Sequence, residues 1–328
     1  MADEYKAIWP IPTGHPSFEG DIPKLRRFLS GLYSLDKALA GPRDTPGIPL
    51  RGGIDVFGRC ETGKSTLGYY IAGRVPNTKK IVLVDLEGGA REEYLRTAVA
   101  QSGYSGLVYR VPFEASGKIR THEDMLKEGA DALLEEGTNA LILDSAAMTQ
   151  PVPEREGDIE EAFMGRRAQV LAKFMRRSMA WINSSTEDKI LVVINHMLMN
   201  MQGFKISPGG DTMKFGIHAR LWIHRTESLQ DGVFEAEIEV DKLRFGGKDK
   251  ERKARVVFLP GIGVSPELTA MFDCMALGEA RRQQGTGMVQ IKEGEEWKSI
   301  ARTSAMIRRA LDGQKDDFAP FFERLASL

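Results

Sequence analysis

The chain alternates short, uninterrupted apolar runs with longer stretches of helical period. Gly53-Ile54-Asp55-Val56-Phe57, Lys80-Ile81-Val82-Leu83-Val84-Asp85, Ala140-Leu141-Ile142-Leu143-Asp144 and Ile190-Leu191-Val192-Val193-Ile194-Asn195 read as strands covered on both faces, because only such strands dispense with a polar side. Between them Ser65 to Ala72, Arg91 to Ala100, His122 to Glu136 and about Phe163 to Asn183 read as helices, and Gly106 to Val111 as a short strand. In the longest helix Phe163, Val170, Phe174 and Trp181 share one side, while Arg166, Lys173 and Arg177 recur on another. This alternation predicts an α/β fold with a mostly parallel central sheet, flanked by helices on crossover connections.

Outside that region the pattern changes. Residues 1 to 28 are polar and proline-rich, and read as an N-terminal arm that contacts a neighbouring subunit or frays. Ser34 reads as the cap of a short helix. The stretch from His196 to Gly210 has no period and reads as a long loop, a length that points to function in a compact domain. Ala219 to Arg225, Val233 to Lys242 and Arg255 to Leu259 then read as antiparallel strands, with the charged turn Gly246 to Lys253 between the last two. Residues 265 to 328 read as a small α+β C-terminal domain, mostly helical with a glycine-rich middle. The expected division is therefore an arm (1–28), a core (29–264) and a C-terminal domain (265–328).

Composition narrows this picture modestly. The chain has 328 residues, is 42% hydrophobic and carries a net charge of −1, so no global basic field announces nucleic acid, and any such contact must come from local clusters. Two cysteines, Cys60 and Cys274, make no disulfide framework and fit a reducing, cytoplasmic setting. No apolar run approaches a membrane-spanning length.

The chemistry is concentrated in Gly58-Arg59-Cys60-Glu61-Thr62-Gly63-Lys64-Ser65, followed by Thr66. A glycine, four residues and Gly-Lys-Ser, placed between a strand and a helix, is the pattern of a phosphate-binding loop. Glycines let the backbone turn its N–H groups toward a polyphosphate, and the helix N-terminus adds positive potential. Lys64 is expected to reach the β- and γ-phosphates of ATP, and the Ser65 hydroxyl to ligate Mg²⁺. Asp144, ending an apolar strand, is expected to orient the metal or its water. Asp85-Leu86-Glu87 ends the strand after the phosphate-loop helix, where a carboxylate can activate an attacking water. That arrangement predicts nucleotide hydrolysis.

Several further runs, in order and spacing, resemble RecA-family recombinases of the bacterial and phage type. They are Ser30-Gly31-Leu-Tyr-Ser-Leu-Asp36, Leu141-Ile-Leu-Asp-Ser-Ala-Ala-Met148, Phe163-Met164-Gly165, Ile194-Asn195 and Gly209-Gly210-Asp-Thr-Met-Lys214-Phe215. The resemblance covers roughly Phe28 to Val264, and its divergence points to a phage or mobile element. It implies a strand inserted between the two nucleotide-binding strands, and a homo-oligomeric helical filament on single-stranded DNA with ATP between protomers. It further implies pairing with homologous duplex DNA and strand exchange. On its motif positions Glu87 is the catalytic carboxylate and Tyr94 the adenine-stacking aromatic. Residues 150–166 form the first DNA loop, ending in Met164, Gly165 and Arg166, with Arg167 and Arg176 on the helix behind it. Residues 196–210 form the second, with Met197, Met199, Phe204, Lys205, Gly209 and Gly210. Lys242 and Arg244 are implied to reach the γ-phosphate of the adjacent subunit, and Lys214 and Phe215 to lie at the same boundary.

The sequence departs from the family pattern in places. His196 stands where the family usually has Gln, a residue that senses the γ-phosphate, so coupling between nucleotide and DNA is expected to vary with pH. Leu198 replaces a usual basic residue, the second loop is short, no N-terminal polymerisation helix is evident, and Cys60 is uncommon in the phosphate loop. An accessory paralogue without strand exchange and a hexameric RecA-fold DNA motor are the alternative readings.

Overall fold

The computed structural model describes residues 26–41, 45–152, 165–199, 205–206, 216–244 and 252–328. Its centre is a nine-stranded sheet: β1 (Gly52–Gly58), β2 (Lys80–Asp85), β3 (Leu107–Arg110), β4 (Thr138–Asp144), β5 (Ile190–His196), β6 (Ile217–Ser228), β7 (Phe234–Leu243), β8 (Lys253–Leu259) and β9 (Gly263–Val264). The spatial order is β9-β8-β7-β6-β1-β5-β4-β2-β3. All pairs from β6 to β3 are parallel, and those from β6 to β9 antiparallel. Strand β5 therefore lies between β1 and β4, the insertion the family resemblance implied.

The apolar runs do as their composition requires. Ile81, Leu83, Ile142, Val192 and Ile194 face one side, where they pack with α1 (Tyr33–Ala38), α2 (Lys64–Gly73) and α3 (Glu92–Ala100). Val82, Val84, Leu141, Leu143, Leu191 and Val193 face the other, against α4 (His122–Asp131) and α5 (Arg166–Ser184). Thr121 caps α4 by accepting from the Asp124 N–H at 3.1 Å. On α5, Phe174 is buried and Trp181 packs against the core, while Arg177 ion-pairs with Asp131 of α4. Among the described residues no helix is long and apolar enough to cross a membrane.

One sequence expectation is corrected. Ser34 does not cap α1: the N-cap is Leu32, without a side-chain bond. The Ser34 hydroxyl instead donates to the Arg255 carbonyl of β8 at 3.1 Å, and its N–H to Asp273 at 3.1 Å, so a tertiary site outcompetes the local cap. The C-terminal segment combines helices and strands, and its glycine-rich middle is the strand part. Ala280–Arg282, Met288–Glu293 and Glu296–Arg302 form an antiparallel sheet, β10 to β12, between α6 (Pro266–Ala276) and the pair α7 (Thr303–Leu311) and α8 (Ala319–Ala326). Val289 and Ile291 are buried while Met288, Gln290 and Lys292 are part-exposed, the period-two alternation of a strand. Gly285, Gly287 and Gly294 supply positive-φ turns around it. These elements pack together with Val257 and Leu259 of β8 in a third apolar cluster.

Candidate nucleotide site

The phosphate loop leaves the end of β1 and closes at Gly63, which starts α2 in the left-handed conformation at φ 87°. A Cβ there would lie 2.8 Å from the Phe258 ring, so both backbone and packing demand glycine. Gly58 is as constrained, since a Cβ would stand 2.3 Å from the Ile223 carbonyl oxygen. Arg59, Cys60 and Glu61 are exposed, with Glu61 at φ 58°, while Thr62, Lys64 and Thr66 are buried. The Thr62 hydroxyl and the Lys64 ammonium both donate to the Arg59 carbonyl, at 3.0 and 2.5 Å, which curls the loop over the helix end. Burial lowers the Lys64 pKa, and Cys60, Glu87 and Asp144 pull it back up.

The three acids divide their work. Asp85 is buried and spoken for: it accepts from the Gly88 and Ala90 N–H groups at 2.9 and 3.0 Å, and from Arg110 at 2.8 Å. Glu87, two residues on, is exposed and contacts His196 instead. The Leu86 N–H donates to the Asp144 carbonyl at 2.6 Å, which stitches the tips of β2 and β4 together. Asp144 is 5% exposed, and burial raises its carboxyl to about 6 against the pull of Tyr69 and Ser65. Tyr69 of α2 donates to its Oδ2 at 2.8 Å, while its Oδ1 is buried without a hydrogen-bond partner. An unsatisfied buried carboxylate oxygen beside the Ser65 hydroxyl is a donor set that suits a hard cation such as Mg²⁺.

His196, the last residue of β5, completes the group. Its Nε2 is 2.9 Å from Glu87 Oε1, and its Nδ1 is 4.0 Å from Cys60 Sγ. The two unusual residues of the sequence, Cys60 and His196, are thus neighbours. The next N–H, of Met197, donates to the Gly58 carbonyl at 3.0 Å, so the second loop begins hydrogen-bonded to the first residue of the phosphate loop. That second loop contains a two-residue hairpin, Leu198–Met199 paired with Lys205–Ile206. Tyr94 of α3 packs against the core, with its hydroxyl bonded to that of Thr66.

Other expected site residues lie elsewhere. Lys242 stands opposite Arg220, which stands opposite Asp55, so it is level with the middle of β1 and two strands away, about 10 Å. Burial, and after it the charges of Arg244 and Lys242, bring the His218 pKa down to about 4. Arg166 and Arg167 open α5 behind Gly165, which adopts φ 83°, and Arg176 is exposed on the same helix. Met164, Phe204, Gly209, Gly210, Lys214 and Phe215, most of the first loop and residues 1–25 lie outside the described residues. Sequence reasoning missed Tyr69, which holds Asp144, Arg110, which occupies Asp85, and Arg220. For the first two no local signal exists, because their partners come from other elements.

Fold and site together define a phosphate-loop α/β protein in which the strand between the nucleotide-binding strands feeds a loop of its own. The RecA N-terminal domain model matches residues 19–250, and the chain belongs to the RecA family. It is similar to the RecA protein of Mannheimia haemolytica, 24% identical over 248 residues that make up 73% of this chain and 63% of that protein. It is also similar to that of Rhodopirellula baltica, 27% identical over 209 residues, 62% of this chain and 52% of the relative. The matched stretch thus spans about half to two-thirds of those relatives' length.

Proposed function

We propose that this chain is an ATP-dependent recombinase that assembles as a helical filament on single-stranded DNA, pairs it with homologous duplex and exchanges strands. In this reading residues 29–264 are the ATPase core, 265–328 a small C-terminal domain and 1–28 an arm toward the neighbouring subunit. Lys64 and the N–H groups of residues 58–66 bind the phosphates, and Tyr94 stacks on the adenine. Ser65 and Asp144 hold Mg²⁺, which neutralises phosphate charge. Glu87 orients and accepts a proton from the attacking water. Lys242 and Arg244, displaced from their own phosphate loop, serve the nucleotide of an adjacent subunit and neutralise developing charge there, which ties hydrolysis to assembly. Residues 150–166 and 196–210, with Arg167 and Arg176, follow the DNA phosphates and stack between bases without reading sequence.

The observation that carries the reading is the His196 junction. One residue touches the carboxylate beside the phosphate loop, and the next is hydrogen-bonded to Gly58 and opens the second loop. The test is ATP hydrolysis with and without single-stranded DNA, paired with negative-stain imaging of the ATP-analogue complex. DNA-stimulated turnover with helical filaments is expected. Closed rings would favour a hexameric motor, and DNA-independent turnover without assemblies would favour an accessory paralogue.

A further inference from the structure

Strand β7 changes face in mid-course. Phe234, Ala236, Ile238 and Val240 belong to the core cluster beneath α2, as period two requires. Continued alternation would send Lys242 into that core and Leu243 out of it, yet Leu243 is the residue packed against the core. The ladder shows how. Arg220 of β6 pairs with Lys242 and Leu221 with Val240, which leaves Asp241 opposite no residue. Asp241 is the extra residue of a β-bulge, a device that re-aims the side chains beyond it. Beyond the bulge, Lys242 lies on the face of Arg220, and burial, followed by the charges of Arg244 and Arg220, lowers its pKa.

Arg220 spans the bulge. Its Nε donates to Asp55 Oδ2 at 3.1 Å, its Nη1 to Asp241 Oδ2 at 2.9 Å, and its guanidinium lies 4.6 Å from the Phe57 ring centroid. Asp55 is 2% exposed and sits on β1, directly opposite Arg220 and three residues before the phosphate loop. A planar, rigid guanidinium held at both ends and on its face has one orientation available. Asp241 also adjoins Lys242 in the chain and ion-pairs with Arg220, so it sits within a group of three cations, Arg220, Lys242 and Arg244. Without it their mutual repulsion would fall on the bulge.

We propose that Arg220 and Asp241 are positioning residues: the Asp55–Arg220–Asp241 bridge fixes the bulge in β7 so that Lys242 and Arg244 project together toward an adjacent subunit's nucleotide, and couples that aim to the strand beneath this subunit's own phosphate loop. The inference rests on the reading of Lys242 and Arg244 as cations acting across a subunit boundary.

Asp241→Asn tests it. The residue is half exposed, and its loss leaves the buried Asp55–Arg220 pair intact, whereas Arg220→Ala would strip Asp55 of its partner and endanger the fold. The full-length variant is expected to hydrolyse ATP on single-stranded DNA with kcat lowered about tenfold, the scale of a modest misplacement of a catalytic group. KM for ATP stays within about twofold of wild type, and Asp241→Glu recovers part of the rate. In a Lys242→Ala/Arg244→Ala background, Asp241→Asn produces no further loss, because residues acting as one unit are not additive. Wild-type kcat in Asp241→Asn beside a slow Lys242→Ala would overturn the bridge alone, as would a further tenfold loss in the cation-free background. Wild-type kcat in Lys242→Ala/Arg244→Ala would overturn the reading of the cations and the bridge with it.

Discussion

Asp144→Asn should make the protein more stable and less able to hold its nucleotide. Burial lifts the Asp144 carboxyl from 3.8 to about 6, which corresponds to about 3 kcal/mol of disfavoured ionisation in the folded state at neutral pH. A carboxyl whose folded value exceeds its unfolded value contributes full stability below the unfolded one and loses it as pH rises through the folded one. The wild type therefore gives up stability between about pH 4 and 6, about 2 kcal/mol of it between pH 4.5 and 7.5. Asparagine never ionises, and its carbonyl can keep the Tyr69 hydroxyl. Its NH₂ then falls at the oxygen that already lacks a partner, at a cost of about 1 kcal/mol. The net expectation is a gain of about 2 kcal/mol at pH 7.5, or roughly 4–8 °C in Tm, and almost none at pH 4.5. Thermal melts of both proteins at the two pH values, without nucleotide, measure it. Adding Mg²⁺ and a non-hydrolysable ATP analogue should then raise the Tm of wild type and leave the variant nearly unmoved. A variant less stable than wild type at pH 7.5, or shifted equally at both pH values, would refute the reasoning.

Two other expectations follow from the same residues. Glu87→Gln preserves a hydrogen-bonding partner for His196 but cannot accept a proton, so single-turnover hydrolysis should slow about 10²–10³-fold while binding of a fluorescent ATP analogue stays within a few-fold; a variant that hydrolyses normally excludes Glu87 as the base. His196→Gln removes a titratable ring from its contact with Glu87, so DNA-stimulated turnover should vary less steeply with pH than in wild type, and superimposable profiles would rule this out.

How legible the molecule was in its sequence depended on how local each cause is. The phosphate loop could be read at once, because strand, glycines, lysine and helix follow one another in the chain. The central strands were equally plain, since Leu141 and Ile142 face opposite sides of one sheet and both must be apolar. Choosing between Asp85 and Glu87 needed the family pattern, because the Arg110 that occupies Asp85 lies twenty-five residues away in the chain. Ser34 looked like a cap because its sequence neighbours permit one, and Arg255 and Asp273 are invisible from there. The sheet β10–β12 was obscured by glycines and by an alternation confined to a few positions. The bulge at Asp241 left a faint trace, since the apolar parity moves from Val240 to Leu243, but only a register with β6 turns that trace into a re-aimed cation pair.

The insertion of β5 between β1 and β4 has a consequence for how little machinery a signal would need. Adjacent strands run about 4.8 Å apart, so the tip of the middle strand lies within one residue's reach of both its flanks. A message passing between the two loops at this end of the sheet has no lever, hinge or linker to cross; it has one peptide unit, His196 to Met197, bonded by side chain on one side and by backbone on the other. The loop beyond Met197 can then lengthen, shorten or exchange its residues over evolutionary time without disturbing that junction.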